Sequence, residues 1–109
     1  MNTPPNESIV LLFCTCPDAD VAQRIAHALV GERLAACVNI VPGLRSIYRW
    51  KGVIQDDNEC LLLIKTRESR VVELTESIRS LHPHELPEVI AVPVVAGLAP
   101  YLDWIRDNT

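Results

Sequence analysis

A chain of 109 residues that is 49% hydrophobic and 22% charged holds enough apolar material for one core, with a surplus suited to contact with another subunit. Its formal net charge of −4 excludes the clustered basic footprint that phosphate backbones require, so nucleic acid is not an expected partner. The apolar stretch Ile9 to Phe13 is too short for a membrane span or signal-peptide core, and Cys14, Cys16, Cys37 and Cys60 sit in apolar segments rather than a disulfide framework. A cytoplasmic, non-membrane protein with reduced thiols is therefore expected.

Residues 1–8 are polar, contain Pro4-Pro5 and read as a flexible tail before a single domain at 9–109. Ile9 to Cys16 is a nearly continuous apolar run, the signature of a strand covered on both faces. Asp18 is placed to cap a helix whose apolar stripe is Val21, Ala22, Ile25, Ala28 and Leu29, ending near Gly31. Cys37 to Ile40 and Ser46 to Trp50 read as one long strand, bent at Pro42-Gly43. Lys51-Gly52 reverses the chain. The returning strand starts at Val53, with pairing expected to break at Asp56-Asp57-Asn58, and finishes in Glu59 to Thr66. Val71, Leu74, Ile78 and Leu81 are spaced as a second amphipathic helix, which Pro83 terminates by disfavouring helical geometry at His82. A fourth strand over Val89 to Ala96 and a short helix around Leu98 to Asp107 close the chain.

This order predicts an α+β, ferredoxin-like βαββαβ sandwich: an antiparallel sheet with both helices on one face, a long β2-β3 hairpin and a short C-terminal helix. The first strand has Leu12, Cys14 and Cys16 on one side and Ile9, Leu11 and Phe13 on the other. With helices on one side only, the second apolar face calls for neighbouring subunits.

Three constellations bear on chemistry. Cys14 and Cys16 project from the same strand face, about 6.5 Å apart along the backbone; two small core side chains are the plain reading, and Cys37 and Cys60 read as core as well. His82-Pro83-His84-Glu85 puts two imidazoles and a carboxylate within four residues, a donor set that suits copper or zinc. The same string also reads as a helix-ending turn whose histidines cap carbonyls or face solvent. Tyr48, Trp50, Glu59 and Lys65 line the hairpin, either as a subunit contact or as a cleft in which Lys65 and His82 hold an anion. Tyr101 and Trp104 read as packing anchors. No Met-x-Cys-x-x-Cys loop, Gly-rich phosphate cradle, aromatic RNA-binding motif or Ser-His-Asp set is present, so an enzyme is not expected.

The segments Ala35-Ala36-Cys37-Val38-Asn39-Ile40, Pro42-Gly43, Ser46 to Gly52, Ile64-Lys65-Thr66 and His82 to Glu88, in that order, resemble the CutA divalent-cation tolerance family. The resemblance runs from about Phe13 to Trp104. It implies a homotrimer packed sheet to sheet, with the hairpin extended across a neighbour, and a role in the response to metal ions. It also implies a copper site, since Cys14 falls where some bacterial members carry a proposed ligand and His82 falls on the histidine of the family's His-Pro-aromatic-Glu motif. Two departures stand out: His84 replaces the usual Tyr, and Leu81 stands where some members have a second His.

The resulting expectation is a homotrimeric tolerance protein that binds copper through Cys14 and His82, with His84 as an additional ligand. The alternative is a trimeric signalling or scaffold protein that holds a small anion in inter-subunit clefts, as the similarly built PII regulators do. A third option is an enzyme with Cys14 as nucleophile and His82 as base.

Overall fold

A computed structural model describes residues 7–109; most of the expected tail, residues 1–6, lies outside the described residues. Glu7 and Ser8 are tied to the body. The Glu7 carboxylate pairs with Arg67 at 3.1 Å, the Arg106 guanidinium donates to the Glu7 carbonyl, and the Glu68 N–H donates to the Ser8 carbonyl.

The elements are β1 (Ile9–Cys16), α1 (Ala19–Gly31), β2 (Cys37–Trp50), β3 (Val53–Arg67), α2 (Val71–Leu81), β4 (Ile90–Pro93) and α3 (Ala99–Asp107), with a 3-10 turn at Glu68–Arg70. The sheet order is β2-β3-β1-β4 and every pairing is antiparallel, which is the ferredoxin-like arrangement. Helix α1 begins where Asp18 accepts the Val21 N–H at 2.9 Å, and α2 stops where His82 turns extended, at ψ 135°. Both boundaries follow from the cap and the proline.

Side chains alternate across the sheet, so one face of β1 and β3 presents Leu12, Cys14, Cys16, Cys60, Leu62 and Ile64 to α1 and α2. Val21, Ala22, Ile25 and Leu29 of α1, with Leu74 and Ile78 of α2, complete this core. Thr66 joins it because its hydroxyl donates to the Leu34 carbonyl at 2.6 Å. On the opposite face α3 covers only one end, where Ile105 and Leu102 meet Ile9, Ala36 and Val94. Leu11, Phe13, Leu61 and Leu63 on the rest of that face remain half-buried, and Ile90 and Val92 are exposed.

Three expectations are corrected. Asp56-Asp57-Asn58 does not interrupt the ladder: Ile47 pairs with Asp56, Ser46 with Asp57 and Arg45 with Asn58. The polar side chains there find partners nearby, since Arg45 makes a two-pronged bond to Asp56 at 2.7 and 2.8 Å and the Tyr48 hydroxyl donates to Asp57 at 2.5 Å. The fourth strand is Ile90–Pro93 rather than Val89–Ala96, paired only with Val10 to Phe13, and it ends at a residue with no N–H to donate. Cys37 is only partly buried, on the face away from α1 and α2, beside Lys65. The bend at Pro42-Gly43 is present as a bulge between Val41 and Leu44 with Gly43 at φ 79°, and Lys51 and Gly52 turn the hairpin at φ 50° and 81°.

Candidate metal centre

The end of β1 and the end of α2 meet. Strand alternation points Cys14 and Cys16 into the core face, both with no exposed surface. The turn after α2 then brings buried His82 over them. One ring nitrogen of His82 and the two sulfurs all lie within 4.8 Å of one another. Among the described residues this is the one group of three such side chains that converges closely enough to hold a metal ion.

Hydrogen bonds fix the imidazole. Its Nδ1 accepts the His84 N–H at 3.1 Å, so the proton sits on Nε2, which donates to the Thr15 carbonyl at 2.7 Å. β4 pairs no further along β1 than Phe13, and His82 serves the strand beyond that point. The Cys14 sulfur lies 3.8 Å from the same carbonyl oxygen. His82 thus caps a carbonyl and, at the same time, stands among the sulfurs; the two readings of the turn coexist in one geometry.

The two thiols are pushed in opposite directions. The Cys14 thiol is held far above the usual thiol range, first by its hydrogen bond to Cys16, then by burial and by the negative charges of Cys16, Glu88 and Glu59. Cys16 is lowered because Cys14 donates to it, against the opposing effects of burial, Glu59 and Asp18. The pair therefore gives up one proton more readily than the second, and the carboxylates around it favour a cation.

Of the other sequence candidates, His84 is exposed and its ring stands 4.8 Å from that of His82. It lines a cleft of about 330 Å³ with Pro17, Asp57, Asn58 and Glu59. Glu59 is 8% exposed, and its charge acts on both Cys14 and Cys16. Lys65 is elsewhere. It pairs across the ladder with Leu11 and Cys37, on the face opposite the thiols, where its ammonium donates to Asn39 at 2.8 Å and to the Tyr101 hydroxyl at 3.4 Å. Lys65 and His82 thus do not face a common cleft within the chain. Trp50 pairs with Val53, twelve residues from Lys65 along β3, or up to roughly 40 Å of strand. Tyr101 and Trp104 stack at 5.6 Å but stay partly exposed. Sequence reasoning left Cys16 in the core and Tyr101 as a packing anchor; the i, i+2 spacing of the cysteines was the signal for the first, and nothing local signalled the second.

Residues 10–108 match the family described as CutA1 divalent ion tolerance protein. The chain belongs to that family. It is 53% identical over 103 residues to the divalent-cation tolerance protein CutA of Thermus thermophilus, covering 94% of this chain and 98% of that one. It is also 53% identical over 102 residues to human CutA, again over 94% of this chain but only 57% of the human protein, so it spans little more than half of that relative. Among solved structures, CutA1 of Oryza sativa superposes with a TM-score of 0.94 at 42% identity, covering 97% of both chains. The Thermus thermophilus protein superposes at 0.91 and 51% identity, over 93% of this chain and 98% of that one. Relatives carry names that place them differently, chloroplastic in Arabidopsis thaliana and periplasmic in Archaeoglobus fulgidus. Among the described residues no helix is long and apolar enough to cross a membrane.

Proposed function

We propose that this CutA-family chain is a single-domain, metal-binding homotrimer of the cytoplasm, without catalytic activity, that takes part in the response to metal ions by holding copper at the Cys14–His82 centre. The observation that carries this reading is the convergence of a thiol pair and an imidazole within 4.8 Å at the junction of β1 and α2. The donor set fits the ion: sulfur and imidazole suit copper and zinc, whereas magnesium and calcium want oxygen. Cys14 and His82 would supply the bonds, and His84 stands behind His82 through its N–H. Binding must release the Cys14 proton and free a His82 nitrogen from its present hydrogen bond, so it liberates protons and weakens as pH falls. The trimer is supported by the sheet face that α3 leaves half covered, and the reducing compartment by four free cysteines.

Calorimetry with copper on the wild type, Cys14→Ser and His82→Ala tests the metal centre. Loss of the high-affinity site in both variants supports it, and equal binding in all three would place copper elsewhere. Light scattering tests the assembly: three subunits at micromolar concentration are expected, and a monodisperse monomer would overturn the trimer.

A further inference from the structure

We infer that Cys16 is a second sulfur ligand, and that the centre is built for soft d10 ions, namely monovalent copper, zinc or cadmium, rather than for copper(II). This rests on the metal-binding reading above and names the ion class that site would take. Cys14 and Cys16 leave the same face of β1, both fully buried, and the two sulfurs and the imidazole nitrogen form a triangle no wider than 4.8 Å. Zinc–sulfur bonds of roughly 2.3 Å and zinc–nitrogen bonds of roughly 2.0 Å put tetrahedral ligand atoms about 3.5–3.8 Å apart. Closing the triangle takes shifts of about an ångström, within reach of side-chain rotation.

The donor atoms themselves select the ion. The two thiolates are soft donors and the imidazole a borderline one, no carboxylate is part of the converging group, and copper(II) prefers a tetragonal set of nitrogen and oxygen that this buried strand end does not offer. A pair of thiolates would also carry two negative charges into the core, which a zinc or cadmium ion neutralises and monovalent copper halves, whereas a neutral imidazole offsets none. The neighbouring cleft is lined by Pro17, which follows Cys16, and by Glu59, which precedes the Cys60 that pairs with Cys16. Glu59, nine-tenths buried, lines it with Asp57 and His84, so an approaching cation meets negative charge there.

The test is anaerobic titration of the reduced protein with cadmium, followed by the ultraviolet thiolate-to-cadmium band, and with monovalent copper against a competing chelator. The proteins are wild type, Cys16→Ala, Cys14→Ala, His82→Ala and Cys37→Ser, each checked for folding by circular dichroism. Cys16→Ala should lower both affinities by on the order of a hundredfold, and Cys37→Ser, on the other face of the sheet, should change neither. Wild-type affinity in Cys16→Ala, with loss in Cys14→Ala and His82→Ala, overturns the two-sulfur centre and leaves the copper-binding reading standing. Wild-type affinity in all variants overturns both. Should Cys16→Ala fail to fold, cadmium NMR on the wild type decides: a resonance in the two-sulfur range supports the inference, and one in the single-sulfur range overturns it.

Discussion

The two ends of the β2–β3 hairpin are built from the same kinds of residue, yet they lie in opposite environments. Near the body, Cys60, Leu62 and Ile64 are sealed under α1 and α2. At the far end Ile47, Val53 and Ile54 are 69%, 58% and 64% exposed, although the strand pairing there is just as regular. Hydrogen-bonded pairing therefore extends a strand well beyond the region its own chain can cover, and burial rather than pairing separates the two ends. The molecule, 47 Å long and 25 Å by 22 Å across, presents the far end as apolar surface that the other described elements leave exposed, the kind of patch that marks a subunit contact.

Substitutions at the two ends should divide stability from assembly. Leu62→Ala, at a site with no exposed surface, should lower unfolding stability by about 2–5 kcal/mol, from lost burial and the cavity left behind. Chemical denaturation measures it, and a loss below about 1 kcal/mol would mean that the core relaxes around the gap. Ile54→Asp, at the far end, should instead leave the secondary structure intact and weaken subunit association, read by sedimentation on dilution. An effect on folding with unchanged association would show that the far end is stabilised within its own chain.

The smallest effect concerns charge. Arg67–Glu7 in the body has side chains only 10% and 15% exposed, whereas Arg45–Asp56 on the hairpin has side chains 69% and 44% exposed. Arg45→Ala should be nearly silent in stability because solvent screens the pair. Glu7 is held below its ordinary value by hydrogen bonds from Ser69 and then Arg67, against a desolvation cost. A carboxyl depressed in the folded state stabilises above its unfolded value and loses that contribution as pH falls through the folded one. Glu7→Gln should therefore cost about 0.5–1 kcal/mol at neutral pH and flatten the acid limb of the stability curve below pH 4.5. An unchanged acid limb would remove Glu7 from the account.

Local chemistry made most of the fold legible in the sequence. Asp18 as a cap, Pro83 as a stop, Gly43 at a bulge and Lys51-Gly52 at a turn each act through dihedral angles or a neighbouring N–H, so their effect travels only a few residues. The break expected at Asp56-Asp57-Asn58 failed because local polarity says nothing of the cross-strand partners, Arg45 and Tyr48, that satisfy those side chains. β4 is shorter than its apolar run for a similar reason, since its length is set by pairing with β1.

The site divides along the same line. That Cys14 and Cys16 share a face follows from the period of a strand alone, and that His82 leaves its helix follows from the proline after it. Sixty-seven residues separate Thr15 from His82, and nothing local brings them within bonding distance; the packing of α2 over β1 decided it. Packing likewise placed Lys65 on the opposite face, because alternation assigns neighbouring residues to opposite sides of the sheet and only the register with β1 and β2 fixes which side meets the helices.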